Sequence, residues 1–248
     1  MKTNKEVSMT EKTDTVVPEG PWKFDAAVTE VFSDMLSRSI PGYDRMRELV
    51  TELAIRYRTH RSEIVDLGCS RGDAIAELLT RFGGTNGFVG VEVSPSMLTA
   101  VKERFADLID RKIIRILDAD LRKGLPPCNP SVILSVLTLQ FIPIEYRLKL
   151  VSDIYKALIP GGAFILVEKI TMKTPHTHLL FNALYYDMKS RNGYSHEEIE
   201  RKRLSLEGVL VPQSAQANMD MLEAAGFKTR DLFWRDLNFV GFLAVKES

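Results

Sequence analysis

Apolar side chains in this chain recur at two spacings, about every 3.6 residues in some stretches and in short dense runs elsewhere. Over 26–37 the helical spacing carries Ala27, Val28, Val31, Phe32 and Met35, and Ile40-Pro41-Gly42-Tyr43 breaks the run. A second helix is predicted over 44–57, with Met46, Leu49, Val50, Leu53 and Ala54 on one face. From Ile64 the pattern changes. Short apolar runs predict strands over 64–67, 87–93, 112–117, 131–139 and 163–169. Helical stretches separate them over 73–82, 95–105 and 144–158. Ser94-Pro95 supplies an N-cap and first-turn proline for the middle helix, and Pro160-Gly161-Gly162 closes the last one. The run at 131–139 is long and largely apolar, as expected of a central strand buried on both faces. Strands alternating with helices predict a parallel sheet with helices on both sides, a doubly wound, Rossmann-like α/β fold.

After the fifth strand the alternation stops. Residues 171–212 hold two predicted helices, 177–190 and 196–210, split by Arg191-Asn192-Gly193-Tyr194-Ser195. A helical insertion there sits above the carboxyl ends of the strands, where ligands bind in such sheets. A helix over 214–225 and a closing antiparallel pair, 231–234 with 238–246, complete the predicted domain. Residues 1–21 are rich in Lys, Thr, Glu and Pro without apolar periodicity, so they read as a disordered tail ahead of one domain over 22–248.

Composition narrows the partners. Lys+Arg and Asp+Glu are both 33, so the total shows none of the basic excess of a nucleic-acid binder, and no direct nucleic-acid partner is expected. No apolar stretch is long enough for a bilayer, and no apolar core follows Lys2 and Lys5 as in a secretory signal. The two cysteines, Cys69 and Cys128, fit neither a metal spacing nor a disulfide framework, so a reducing cytoplasm is expected.

The sharpest chemical signal is Asp66-Leu67-Gly68-Cys69-Ser70-Arg71-Gly72, between a strand and a helix. Gly68 permits a tight backbone turn, and Gly72 lets the helix start close to the sheet. Asp66, at the strand end, suits loop amides or the ammonium group of a ligand. Glu92 ends the second strand, where an acid can take both hydroxyls of a ribose. Asp120 follows the third strand and suits an adenine amino group. A hydrolase elbow shares the G-x-S-x-G skeleton, but no loops offer the Asp and His that should follow Ser70. A nicotinamide dinucleotide would set its pyrophosphate on the helix N-terminus, where Asp66 and Asp73 repel it. The same two acids suit a cationic sulfonium ligand with a free amine, namely S-adenosylmethionine.

The chain also resembles the carboxy-S-adenosylmethionine synthase family of the class I methyltransferase superfamily, from about Phe24 to Lys246. The resemblance rests on Phe24-Asp25-Ala26-Ala27-Val28, Glu30-Val31-Phe32 and Arg38-Ser39-Ile40-Pro41-Gly42-Tyr43. It continues through Asp66-Leu67-Gly68-Cys69-Ser70, Thr138-Leu139-Gln140-Phe141, Asn192-Gly193-Tyr194-Ser195, Lys202-Arg203, Ala225-Gly226-Phe227 and Asn238-Phe239. It implies a class I methyltransferase sheet with N-terminal helices. It implies that the methyl of S-adenosylmethionine is deprotonated to an ylide and captures the carbon dioxide lost from prephenate. It implies that Tyr43, Gly68, Cys69, Ser70, Glu92, Val93, Asp120 and Leu121 surround the cofactor and that Arg203 binds the added carboxylate. A guanidinium fork suits that role. It also implies a homodimer. Three positions depart from the family pattern: Glu92-Val93 replaces Asp-Asn, and Val136 replaces an asparagine that can hydrogen-bond the polar end of the ligand.

Three reactions remain in competition: carboxylation of the cofactor, methyl transfer to a small acceptor, and cyclisation of the aminobutyrate arm with release of methylthioadenosine. A binding module without turnover is the outside reading. His176 and His178 form an H-x-H pair without an apparent third ligand, so no metal is expected. Tyr185, Tyr186 and Tyr194 are expected either to pack a lid or to offer a π-face to the sulfonium. Trp234 is expected in the core or an interface.

Overall fold

The computed structural model describes residues 12–247. The chain runs through α1 (Ala26–Glu30), α2 (Phe32–Ser39), α3 (Tyr43–Tyr57), β1 (Glu63–Leu67), α4 (Asp73–Phe82), β2 (Gly87–Glu92), α5 (Pro95–Arg104), α6 (Ala106–Asp110) and β3 (Ile114–Asp118). It continues through β4 (Pro130–Val136), α7 (Ile144–Ala157), β5 (Ala163–Thr171), α8 (Pro175–Arg191), α9 (His196–Leu206), β6 (Gln213–Ser214), α10 (Ala215–Ala224), β7 (Thr229–Asp236) and β8 (Phe239–Val245). The sheet order is β3-β2-β1-β4-β5-β8-β7, with the short β6 beside the end of β5. The first five strands pair in parallel, and β8 runs antiparallel to both β5 and β7. This is the predicted doubly wound class I methyltransferase architecture.

Alternation along each strand divides the core in two. Val65, Leu67, Ile133, Phe164 and Leu166 pack with Leu150, Val151 and Ile154 of α7 and Leu222 of α10. Their strand neighbours Ile64, Val132, Leu134, Ile165 and Val167 pack with Met46, Val50 and Ala54 of α3 and with Ala74, Ile75 and Leu78 of α4. Every central strand is thus apolar on both sides, which is why it reads as a dense run rather than as an alternation. The chain leaves β1 toward β2 and β3, then returns to the other side of β1 for β4 and β5. The carboxyl ends of β1 and β4 therefore form the switch point, where such sheets open a crevice.

Several expected boundaries move, each for a local reason. The helix expected over 26–37 is two helices, because Val31 leaves helical geometry at φ −108°, ψ 10°. The strand expected to reach residue 139 stops at Val136, because Leu137 takes a left-handed φ of 59° and Leu139–Phe141 form a single 3-10 turn. Helix α9 ends at Leu206 rather than 210, ahead of the left-handed Gly208. The short α6 and β6 carry too little apolar pattern to be foreseen.

The expected disordered tail is the larger correction. Its first eleven residues lie outside the described residues. Residues 12–21 run as an ordered strap with no helix or strand. Asp14 is buried, and its carboxylate accepts from Tyr194 Oη and Lys202 Nζ. Its backbone N–H donates to Asp34 at 2.6 Å, and its carbonyl accepts from Arg38 at 2.7 Å. Downstream, the Trp22 N–H donates to the Ser205 carbonyl at 2.8 Å. Composition signals no order here because one buried ion pair, rather than an apolar stripe, holds the strap. None of the described helices is long and apolar enough to cross a membrane.

Removing one partner of a buried ion pair leaves the other charge uncompensated. Asp14→Ala is expected to lower the unfolding free energy by about 3–5 kcal/mol, measured by urea titration. An unchanged urea midpoint would show that the strap is not tied down in this way.

Candidate functional site

A cavity of about 440 Å³ opens at the carboxyl ends of β1, β2 and β4, under α2, α8 and α9. The loop after β1 forms its floor. Gly68 holds a φ of 67°, and a Cβ there would stand 2.5 Å from the Thr138 side chain. Gly72 holds a φ of 77°, and its Cβ would meet the Phe105 ring at 2.4 Å, which brings α4 close to α5. Both positions demand glycine for conformation and for space together. The N–H groups of Gly68 and Cys69 both donate to the Val91 carbonyl, at 2.8 and 3.0 Å. Cys69 is buried beneath the loop, where burial pushes its thiol well above the usual range, so it fills space rather than reacts.

Glu92 is nearly buried, and one of its oxygens accepts from the Ser70 N–H at 2.9 Å. The other accepts from Val93 N–H at 2.8 Å and Ser94 N–H at 2.9 Å. The end of β2 is thereby fastened to the loop after β1. A carboxylate has about four lone-pair directions, so three bonds leave room for a ligand hydroxyl. Ser70 holds a left-handed φ of 48°, which the Glu92 contact maintains.

Asp66 is also buried and faces the same cavity. Burial raises its carboxyl to about 7; Arg47 opposes that rise, while Glu92 and Asp73 add to it. Arg47 itself donates to Glu77 at 3.1 Å. Tyr43, the first residue of α3, lines the cavity with its phenol pushed up to about 12 by burial. Asp120 is more exposed, and a bidentate bond from Arg122, Nε to Oδ1 at 2.9 Å and Nη2 to Oδ2 at 2.6 Å, holds its carboxyl below the usual range. It also caps the short turn Leu121–Lys123.

The cavity joins most of the residues that the sequence singles out. Tyr43, Asp66, Gly68, Cys69, Ser70, Glu92, Val93, Asp120, Leu121 and Val136 all line it. Gly72 lies behind the loop against Phe105 rather than on the cavity wall. Arg203 also lies off the wall. It sits on the outer side of α9, ion-paired to Glu200 at 2.6 Å and Glu207 at 2.5 Å. Its neighbour Lys202 faces the cavity instead, since successive helix residues point about 100° apart.

Other walls have no role assigned by the sequence, Tyr185 excepted. The turn Thr138–Phe141 is pinned from beneath by Arg147, whose buried guanidinium donates to the carbonyls of Ile142 (2.7 Å), Gln140 (3.2 Å) and Val211 (2.8 Å). Gln140 Oε1 accepts from the Lys169 N–H at 2.9 Å, so this turn also sets the end of β5. Lys169, Lys189 and Tyr185 complete the side nearest the helical insertion. Lys169 stands at a strand end, the same criterion that drew attention to the acids; nothing local marks Lys189. Tyr185 and Tyr194 are buried, Tyr186 is half-buried, and Trp234 packs at the edge of two core clusters. His178 Nε2 faces Asn182 at 3.1 Å, and no group of three metal-capable side chains occurs among the described residues.

Several known proteins have similar chains or folds. The methyltransferase domain family matches residues 64–162. The carboxy-S-adenosyl-L-methionine synthase of Methylococcus capsulatus is 38% identical over 224 residues, covering 90% of this chain and 93% of that protein. The protein of the same name from Desulforapulum autotrophicum is 38% identical over 230 residues, covering 92% and 93%. Among solved structures, human N-acetylserotonin methyltransferase in complex with S-adenosylmethionine superposes with a TM-score of 0.61 at 15% identity, over 90% of this chain and 56% of that one. PigF with S-adenosylhomocysteine gives a TM-score of 0.58 at 16% identity, over 90% and 58%. The structural likenesses establish the fold, and the sequence likenesses run nearly end to end. The chain belongs to the carboxy-S-adenosyl-L-methionine synthase family.

Proposed function

We propose that this protein carboxylates the methyl group of S-adenosylmethionine, taking the carboxyl group from prephenate. The observation that carries the reading is the single cavity at the switch point, which gathers Tyr43, Asp66, Glu92 and Asp120 around the glycine loop. Asp66 is a buried carboxyl on the cavity wall, and a ligand's ammonium group would stabilise its charged form. Glu92 and Asp120 offer acceptors for ribose hydroxyls and an adenine amine. When bound, S-adenosylmethionine supplies a sulfonium that acidifies its methyl C–H bonds.

The overall reaction balances without an oxidant. A methyl C–H bond breaks and a C–C bond to carbon dioxide forms. The dicarboxylate donor loses its ring carboxylate as carbon dioxide and its ring hydroxyl as hydroxide, and becomes an aromatic keto acid. The methyl proton and the hydroxide leave together as water. The chain's part is to hold both reactants together and keep bulk water out. Apolar Trp22, Phe24, Phe32 and Phe141 wall the cavity for that purpose.

Val136 supports a second reading, methyl transfer to a small acceptor. It places a valine on the cavity wall where the family has a polar amide. Incubation with S-adenosylmethionine and prephenate, followed by mass spectrometry, is expected to give a sulfonium heavier by one carboxyl group. S-adenosylhomocysteine formed with an acceptor supports methyl transfer instead, and methylthioadenosine formed without one supports cyclisation.

The reading includes a homodimer. Leu179, Leu180 and Leu184 of α8 and Leu204 of α9 are exposed, with Leu179 at 71%, an apolar face of the kind that marks an interface. Arg203 does not line the cavity that holds Asp66 and Glu92, so the carboxylate role assigned to it calls for a neighbouring copy. Sedimentation at micromolar concentration is expected to show a dimer that Leu180→Glu dissociates, and a monomeric wild type rejects this part. The reading also includes a reducing cytoplasm, which the free thiols of Cys69 and Cys128 support.

The raised carboxyl of Asp66 gives the cofactor site a pH signature. Below about 7 the free protein holds Asp66 protonated, and a protonated carboxyl cannot pair with an ammonium group. Affinity for S-adenosylhomocysteine is therefore expected to rise about tenfold between about pH 6 and about pH 8. Calorimetry checks this, with Asp66→Asn expected to flatten the dependence.

A further inference from the structure

The wall of the cavity opposite the acids is basic. Lys169 stands at the end of β5, Lys189 on α8 and Lys202 on α9, and all three line the cavity. Two tyrosines link them. Lys169 Nζ lies 4.6 Å from the centre of the Tyr185 ring, and Lys189 Nζ lies 5.7 Å from it. Lys189 Nζ also lies 5.0 Å from the Tyr194 ring, and Lys202 Nζ lies 4.5 Å from that ring. Asp14 neutralises Lys202. Among the described residues, neither Lys169 nor Lys189 has a carboxylate or hydrogen-bond partner at its ammonium group; ring faces are their company. Glu168, next to Lys169 along the strand, faces the opposite side of the sheet toward Arg147, and burial raises its carboxyl well above the usual range.

Such an arrangement is costly without a ligand. Lys189 is only 6% exposed. Burying an ammonium group costs several kcal/mol, and a desolvated ring face returns about 2. Burial pulls both amines down to about 8, and for Lys189 the neighbouring Lys202 and Lys169 pull further while Asp14 opposes. A fold that keeps two cations against tyrosine rings, away from the acids of the same cavity, is arranged for an anion. The carboxylate of S-adenosylmethionine is not that anion: it sits next to the ammonium group that Asp66 would take, on the side where Arg47 also lines the cavity.

We propose that Lys169 and Lys189, with Lys202 behind them, form a carboxylate subsite that anchors an aromatic or cyclic α-keto acid opposite the cofactor loop. The inference rests on the reading above for the identity of the other ligand. The carboxylate held is the one the co-substrate keeps. Pairing the lysines with the carboxylate that departs would stabilise the ground state and oppose its loss. Anchoring the retained group leaves the departing one toward the cofactor.

The test uses the protein saturated with S-adenosylhomocysteine and phenylpyruvate as a stable keto-acid probe. Calorimetry is expected to show phenylpyruvate binding to the wild type. Lys169→Met and Lys189→Met, which keep the aliphatic volume, are each expected to weaken it about 10- to 100-fold, the worth of one charge-assisted hydrogen bond. S-adenosylhomocysteine affinity is expected to stay within about twofold in both. A wild-type control guards against misfolded variants: phenylacetone, which lacks the carboxylate, is expected to bind at least about tenfold more weakly than phenylpyruvate. Absent phenylpyruvate binding, equal binding of the two probes by the wild type, or undiminished binding by both variants overturns the subsite. Failure of S-adenosylhomocysteine to bind the wild type overturns the cofactor reading instead, so the two failures are read separately.

Discussion

The site depends on one carboxylate that ends a strand. Glu92 accepts from Ser70, Val93 and Ser94 at once, so the loop after β1 cannot move independently of β2. Charge-assisted bonds of this kind contribute about 1.5–3 kcal/mol each. That is enough to hold Ser70 in a left-handed conformation that a non-glycine residue avoids on its own. The two glycines then have their places: Gly68 passes under Thr138, and Gly72 admits Phe105. Asp66 is aimed into the cavity as a consequence of this bracing, and its raised carboxyl is a consequence of the burial that the bracing imposes.

The roof is held by a different kind of interaction. The strap around Asp14 reaches across the N-terminal helices to Tyr194 and Lys202 on the insertion. Arg38 ties both sides, bonding the Asp14 carbonyl at 2.7 Å and the Asn192 carbonyl at 3.3 Å. Arg147 works from the sheet side, joining the turn around Gln140 to Val211 at the end of the insertion.

What the amino-acid pattern discloses follows the range of the interactions. The five parallel strands and the helices between them are set by local apolar spacing, and β1, α4, β2 and α7 fall within about two residues of expectation. The breaks at Val31 and Leu137 come from single backbone conformations that side-chain patterns do not encode. Asp66, Glu92 and Asp120 are legible because each lies at or beside a strand end, and strand ends share one rim. Their partners are not: Glu92 accepts from its neighbours Val93 and Ser94 and from the distant Ser70, and Asp120 from Arg122. Asp14 and Lys202 are 188 residues apart, and no window of sequence connects them. The same holds for Lys189, which reaches the cavity only once α8 is folded over the sheet.

The two ends of the cavity carry opposite charge, and this has a thermodynamic consequence. In the proposed reading, a sulfonium between Asp66 and Glu92 is attracted to an anion held near Lys169 and Lys189, because apolar Trp22, Phe24, Phe32 and Phe141 also wall the cavity and screen weakly. Each ligand also relieves a cost that the empty site bears at its own end: like-charged acids on one side, unpaired ammonium groups on the other. Attraction between the two ligands makes binding of each favour the other by an equal factor, since linkage is reciprocal.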